Sequence, residues 1–298
     1  MRILGIIAKT FSGKVSTAIA TAHFWGSTTG KTVTTYPWSD STGFGTKYAD
    51  PATPPTDDGY SITFNSSGTA IAVGHSLSPY ISVYPWSAGF GTKYANPATV
   101  PTGISFDVAF NPAGTAIAVA HTTTPFISTY PWSAGFGTKY ADPATLPVGT
   151  GISVSFNPAG TAIAVGHITT PFISAYPWSA GFGTKYANPA TLIPSQAQGI
   201  SFNPAGTAIA IAHGINTFIA AYPWSNGFGT KYANPATLPT SFGQDVAFNS
   251  SGTAIALAHN NSPYLSVYTW SDSSGFGTKY ANPATLPDAY RGQDVAFN

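Results

Sequence analysis

Six histidines recur at equivalent positions of the chain, and imidazole is both a common metal ligand and a common general base. The set is His23, His75, His121, His167, His213 and His259. If each lies on its own sheet, neighbouring sheets pack about 10 Å apart, whereas a shared Zn²⁺ needs nitrogen ligands at about 2.1 Å. We therefore expect no metal and no cofactor. The spacing instead predicts strand-end imidazoles hydrogen-bonded to the loop between fourth and first strands.

Six tryptophans follow the same spacing, in the segment "YPWS" and once in "YTWS". An exposed indole can stack on a sugar ring, and repeated sites would suit a multivalent lectin. The alternative, which we favour, is that each tryptophan packs one sheet against the next. Under the lectin hypothesis the candidate binding residues are Trp86, Trp132, Trp178, Trp224, Trp270, His75, His121, His167, His213 and His259.

Catalytic residue types are sparse. The chain has no Glu, its ten acidic residues are all Asp, and it has no Cys. Asp57 and Asp58 carry no signature of acid–base chemistry, and no G-x-S-x-G motif occurs. A lactonase-like hydrolase would carry its metal ligands on the innermost strands. The only candidate residues there are Asp107, Asp245 and Asp294, and their surroundings are not equivalent. We expect no enzyme.

A repeat of 46 residues organises these positions. Residues 103–147, for example, read as four short strands: "FDVAF", "TAIAVAH", "FISTYPW" and "TKYA". In the second strand Ala alternates with Ile or Val, so small and bulky faces of consecutive sheets can interlock. Lysines in "FGTK" lie on the outermost strand, where an edge lysine discourages sheet-to-sheet aggregation. Four strands in this period predict a propeller blade.

The two chain ends suggest how the repeats close. The first "TAIA" strand, at Thr17, lacks a preceding Phe-Asn strand, and the last Phe-Asn strand, ending at Phe297, lacks a following "TAIA". We predict an all-β, six-bladed β-propeller of four-stranded blades over 17–298, with 1–16 as an N-terminal arm. The C-terminal strand would close the ring by pairing with the N-terminal blade, Val295 and Ala296 lying beside Ala18 to Ala22. In the alternative, "ILGIIAKTF" supplies the missing strand.

Bulk composition excludes several partners. Of the 298 residues only 7% are charged, and the net charge is +1. This is too small for a counterion-driven nucleic-acid surface, and no apolar run is long enough to insert into a membrane. The apolar run at Ile3 to Ala8 is short for a secretory signal, so none is expected.

The segment "FNPAGTAIAVAH…PFISTYPW" resembles the WD40 and YVTN propeller repeats of bacteria and bacteriophages, of the type FSPDGTxLAVAH…PYVSVYDW. The resemblance covers Thr17 to Asn298 and implies the fold. Tyr-Pro-Trp replaces the Trp-Asp pair of WD40 units, so their hydrogen-bond tetrad is not implied. Fold alone does not define function.

Three functions follow from these observations. The first is a non-enzymatic bacteriophage virion protein, a decoration or tail-associated scaffold that contacts other virion subunits or host-surface glycans. It would be extracellular after lysis, with a cytoplasmic location as the alternative. The second function is the multivalent carbohydrate-binding lectin. The third is the lactonase-like hydrolase.

Overall fold

A computed structural model describes residues 2–8, 17–24, 32–39, 41, 43–286 and 292–297. The described part of the chain is all-β and forms six antiparallel sheets. It divides into two compact units, one over residues 1–142 and one over residues 143–297. None of the described residues forms a helix of the length and apolar character needed to cross a membrane.

The first unit holds three sheets. The first sheet comprises β1 (Arg2–Ala8), β2 (Thr17–Phe24), β3 (Val33–Ser39) and β4 (Gly43–Phe44). The second comprises β5 (Gly59–Phe64), β6 (Ala70–His75) and β7 (Ile81–Pro85). The third comprises β8 (Ser105–Phe110), β9 (Ala116–His121) and β10 (Ile127–Pro131).

The second unit also holds three sheets. The fourth sheet comprises β11 (Gly151–Phe156), β12 (Ala162–His167) and β13 (Ile173–Pro177). The fifth comprises β14 (Ala197–Phe202), β15 (Ala208–His213) and β16 (Ile219–Pro223). The sixth comprises β17 (Gly243–Phe248), β18 (Ala254–His259), β19 (Leu265–Ser271) and β20 (Gly275–Lys279).

In the second to sixth sheets the Phe-Asn pair at the end of the first strand sets the hairpin that follows. The Oδ1 atom of Asn65 accepts hydrogen bonds from the backbone amides of Thr69 and Ala70, both at 2.9 Å. Gly68 in the same turn has a φ of 66°, which glycine adopts without a steric penalty. The same asparagine bonds recur at Asn111, Asn157, Asn203 and Asn249. The repeated sequence therefore fixes the register between first and second strands.

The alternation of small and bulky residues does interlock consecutive sheets, as predicted. Ala70 and Ala72 of the second sheet pack in one cluster with Ile117 and Val119 of the third. In the second unit, Ala208 and Ala210 meet the isoleucine and leucine of β18 in the same way. The described chain is thus consistent with a propeller.

The prediction of four-stranded sheets is wrong for most repeats. In the second to fifth sheets the outer segment forms no continuous ladder. It makes an isolated bridge, such as Trp86 with Phe90, and scattered backbone bonds, such as that from the amide of Tyr94 to the carbonyl of Val83 at 2.9 Å. The third strands of these sheets end at Pro85, Pro131, Pro177 and Pro223. Proline has no N–H to offer a fourth strand, but it does not by itself prevent one, because Pro37 lies inside β3 and β3 still pairs with β4. The sixth sheet carries Thr269 at this position, and there β19 runs on and pairs with β20.

The predicted closure of the ring by the C-terminal strand is also wrong. Strand β2 pairs with β1 on one side and with β3 on the other, so Ala18 to Ala22 have no free edge. Residues 292–297 lie beside the sixth sheet instead. The amide of Val295 donates to Asp245 Oδ2, on β17, at 3.1 Å. The pairing of β1 corresponds to the alternative in which the N-terminal segment supplies the missing strand.

Candidate functional site

The five histidines proposed as binding residues are fully buried at the ends of the second strands. In four of them Nε2 shares a hydrogen bond with a serine on the third strand, at 3.0–3.1 Å: His75–Ser82, His121–Ser128, His167–Ser174 and His259–Ser266. The hydroxyl of Thr56, in the loop before β5, lies 3.3 Å from Nδ1 of His75. This is the predicted loop contact, and Thr240 makes it to His259 at 3.4 Å. The prediction fails for the other three: Nδ1 of His167 bonds to the carbonyl of Thr169, and Nδ1 of His121 and of His213 has no partner among the described residues.

Burial keeps these imidazoles neutral. Removal from water lowers the pKa of His75, His121, His167 and His213 to about 4 each, and it lowers the pKa of His259 as well. A buried neutral imidazole bonded to a buried serine has no route to solvent or substrate. The geometry is therefore that of residues that join the second strand to the third, rather than of residues that contact a ligand.

The five tryptophans proposed for sugar binding lie between sheets. Their exposed fractions are 5–8%, and each makes edge-to-face contacts with neighbouring aromatic rings. Trp86, for example, meets Tyr48, Phe64 and Phe90 with centroid distances of 5.2–5.3 Å. A sugar-stacking tryptophan needs an open ring face, and these have little exposed surface. Carbohydrate binding by this set stays an untested prediction.

A row of polar and small residues is defined by one sequence position, three residues before the phenylalanine of each Phe-Asn pair. Its members are Ser61, Asp107, Ser153, Gly199, Asp245 and Asp294. In the first unit, Ser61 Oγ donates to Asp107 Oδ1 at 2.8 Å, and the two residues are 46 positions apart. The amide of Val108 donates to the same carboxylate oxygen at 2.8 Å. Ser61 and Asp107 therefore meet across neighbouring sheets of the first unit.

In the second unit the row brings two carboxyl groups together. Asp245, on β17, shares a hydrogen bond with the side chain of Asp294 in the C-terminal segment. Its Oδ2 also accepts the amide of Val295. Burial raises the pKa of Asp245, and the hydrogen bonds from Asp294 and the backbone oppose that rise. A hydrogen bond between two carboxyl groups requires a proton on one of them.

Gly199 makes room for this pair. A Cβ at residue 199 would lie only 2.7 Å from the Cα of Asp245 and would overlap its carboxyl group. Any larger residue at this place in β14 would displace Asp245. The row thus brings two carboxyl groups together beside a glycine whose missing side chain leaves space for them.

Sequence reasoning named Asp107, Asp245 and Asp294 but treated them as unrelated. The signal that relates them is the 46-residue spacing, which places Asp107 and Asp245 at the same strand position. Among the described residues no group of three His or Asp side chains could hold a metal ion. What the pair can do is general acid–base chemistry.

Comparison with known proteins supports the fold class. No family model and no curated protein sequence matches the chain. Among solved structures, the chain is similar to a candidate 6-phosphogluconolactonase from Bacteroides uniformis. That likeness has a TM-score of 0.68 and 14% identity, and it covers 89% of this chain and 82% of that one. The chain is also similar to hydrazine synthase of Kuenenia stuttgartiensis, with a TM-score of 0.63, 12% identity, and coverage of 85% and 73%. At these identities the likeness is one of fold.

These comparisons contradict the leading functional expectation. The prediction of a non-enzymatic bacteriophage virion protein is wrong, because the similar structures carry enzyme names and nothing in the comparisons relates the chain to a phage particle. The expectation that the chain is not an enzyme is contradicted by the same likeness.

Proposed function

We propose that the chain is a lactone or ester hydrolase whose acid–base pair is Asp245 and Asp294. The observation that carries the proposal is the contact between their two carboxyl groups at the inner row of first strands. The fold likeness to a candidate 6-phosphogluconolactonase supports the reaction class. Asp294 is partly exposed, whereas the carboxyl group of Asp245 is buried enough for its pKa to rise, so a substrate would reach the pair from the side of Asp294.

The pair has the groups that hydrolysis of a lactone requires. The ionised carboxylate takes a proton from a water molecule as the water oxygen attacks the carbonyl carbon. The protonated carboxyl then donates its proton to the ring oxygen as the carbon–oxygen bond breaks. The product is a hydroxy acid, and the pair again holds one proton.

The test is hydrolysis by the purified full chain of a panel of γ- and δ-lactones, including 6-phosphogluconolactone, followed by acid release. We expect Asp245→Asn and Asp294→Asn each to lower kcat/KM by about 100-fold or more. Asp107→Asn is the matched control, because Asp107 occupies the same strand position but pairs with Ser61. No activity on any lactone, or equal activity in all variants, would reject the proposal.

We also propose that the repeats are WD40- or YVTN-like and that the protein is a six-bladed propeller. The six sheets and the repeated "TAIAVAH" strands support this assignment. A crystal structure with a different number of sheets around one axis would refute it.

A further inference from the structure

The carboxylate of Asp272, in the turn between β19 and β20, reaches across to the hairpin of the fifth sheet. Its Oδ1 accepts hydrogen bonds from Asn203 Nδ2 and Trp270 Nε1, both at 2.8 Å. Its Oδ2 accepts one from Thr207 Oγ1 at 2.5 Å, and the hydroxyl of Tyr232 donates to its backbone carbonyl at 2.6 Å. All five residues belong to the second unit. Three side-chain donors on one carboxylate define a carboxylate-binding site, because hydrogen bonds to an ionised acceptor are the stronger ones.

A longer turn in the sixth repeat supplies this carboxylate. Trp270 is followed by "SDSSG" at 271–275, whereas Trp224 of the fifth repeat is followed by "SNG" at 225–227, which is two residues shorter. The shorter turn contains no acidic residue, and its Asn226 is exposed. The fifth repeat therefore brings no carboxylate of its own to the hairpin of the fourth sheet.

The hairpin of the fourth sheet nevertheless has the same donors. Its sequence "NPAGT" at 157–161 is identical to that at 203–207 in the fifth sheet. Asn157 Nδ2 donates to Thr161 Oγ1 at 3.1 Å, as Asn203 Nδ2 does to Thr207 Oγ1 at 3.0 Å. The two hairpins therefore hold their amide and hydroxyl groups in the same way.

The aromatic donors are equivalent as well. Tyr186 contacts Trp224 edge-on with a centroid distance of 5.4 Å, and Tyr232 contacts Trp270 in the same way at 5.1 Å. Ala162, next to the hairpin threonine, packs in one cluster with Trp224 and Tyr186. The fourth and fifth sheets thus repeat the site that Asp272 fills between the fifth and sixth.

The donors of this second site are not used within the described part of the chain. Trp224 is only 5% exposed, yet no described residue accepts a hydrogen bond from its Nε1, and this atom is not enclosed. The second N–H of Asn157 Nδ2 and the hydroxyl hydrogen of Thr161 also have no described acceptor. A buried indole N–H without a partner costs stability unless a ligand or water bonds to it.

We infer that Asn157, Thr161 and Trp224 bind the carboxylate of an aspartyl residue from an acidic peptide. The carboxylate takes the place that Asp272 takes in the filled site. Tyr186 donates to the backbone carbonyl of the bound aspartyl residue, as Tyr232 does to that of Asp272. This site does not depend on the chemistry of the Asp245–Asp294 pair.

The experiment is an NMR titration of the ¹⁵N-labelled full chain with the peptide acetyl-SDSSG-amide, which copies residues 271–275. The indole N–H signals are followed, and Trp224→Phe identifies the Trp224 signal by its loss. We expect this signal to move and saturate at millimolar peptide. The Trp270 signal should stay in place, because Asp272 already bonds to that N–H. The neutral peptide acetyl-SNSSG-amide should bind at least about tenfold more weakly, since it lacks the charge.

Two variants test the residues of the site. Thr161→Val removes one donor and should weaken binding of acetyl-SDSSG-amide about tenfold. Thr207→Val, the same change in the site that Asp272 fills, is the matched control and should leave the response of Trp224 unchanged. Asp272→Ala should make the Trp270 signal respond to the peptide, because it frees the equivalent donors.

A Trp224 signal that does not move at millimolar peptide would overturn the inference, and so would an equal movement with the neutral peptide. Unchanged binding by Thr161→Val, shown to be folded by circular dichroism, would have the same effect. An equal response to free acetate would refute recognition of an aspartyl residue, because acetate has no backbone carbonyl to accept from Tyr186.

Discussion

Ser61 and Asp107 stand at the same position of consecutive repeats, and the serine hydroxyl donates to the aspartate Oδ1 at 2.8 Å. The bond joins β5 to β8 and so ties the second sheet to the third at their inner strands. Because the contact follows from the repeat spacing, it shows how one strand position becomes a row of neighbouring side chains.

Replacing Ser61 tests this tie. Ser61→Ala removes one donor from Asp107, whose Oδ1 also accepts from the amide of Val108. We expect the free energy of unfolding to fall by about 1–2 kcal/mol, as for other hydrogen bonds to a charged group. Ser153→Ala, at the equivalent position of β11, is the control. Equal losses in urea unfolding of the two variants would contradict the role of the bond.

His213 offers a gain of stability. Its Nε2 meets no hydrogen-bond partner among the described residues, because Ala220 stands where the other repeats have serine. Ala220→Ser should supply the missing bond and raise the free energy of unfolding by about 1 kcal/mol. The reverse change, Ser174→Ala, should cost a similar amount beside His167. A destabilised Ala220→Ser protein would show that the site cannot hold the hydroxyl.

The buried histidines predict sensitivity to mild acid. Their pKa is about 4 in the folded protein, against 6.5 for an ordinary histidine. Between these values the unfolded chain binds more protons, so the free energy of unfolding falls as the pH is lowered from 6.5 toward 4. Each histidine contributes on the order of 3 kcal/mol over the whole window.

Asp245 acts in the opposite direction, because its raised pKa favours the folded state in acid. Four histidines outweigh one carboxyl group, and acid should therefore unfold the protein before pH 4 is reached. Urea unfolding measured across this pH range tests the prediction. A flat profile below pH 6.5 would show that the imidazoles are solvated in the native protein.

The turn after the tryptophan contains a strained residue. Ala88, Ala134 and Ala180 have φ values of 51–53°, a region that a side chain with a Cβ disfavours. Ala134→Gly should relieve the strain, which stabilises the folded protein, while the extra conformational entropy of glycine stabilises the unfolded chain. We expect a net rise in the free energy of unfolding of about 0.5–1 kcal/mol. Ala116→Gly, in the middle of the sheet, should destabilise it. Denaturation midpoints that shift in the same direction would refute the strain.

Much of this fold follows from the sequence, because the repeat carries its own register. Asn65 and its equivalents set each hairpin, and alternating Ala and Ile pack one sheet on the next. The fourth strand was overpredicted, since in the second to fifth sheets the segment with "TKYA" makes an isolated bridge and scattered backbone bonds to the third strand rather than a continuous ladder. The pairing of β1 with β2 could not be predicted from periodicity, because the sequence of β1 lies outside the repeat.

The candidate site was harder to predict for the same reason. Asp107 and Asp245 are equivalent in the repeat, but the partner of Asp245 lies in the C-terminal segment. The sequence suggested that this segment pairs with β2. In the structure β1 pairs with β2, and the C-terminal segment lies beside the sixth sheet. The acid–base pair therefore depends on a placement that periodicity does not determine.

The central claim is that Asp245 and Asp294 hold a proton between them. The most direct measurement is the titration of aspartate carboxyl carbons by ¹³C NMR in the wild type, Asp245→Asn and Asp107→Asn. We predict one carboxyl that titrates well above the ordinary aspartate value of 3.8, remains in Asp107→Asn and disappears in Asp245→Asn. A wild-type protein in which every aspartate titrates near that ordinary value would contradict the claim.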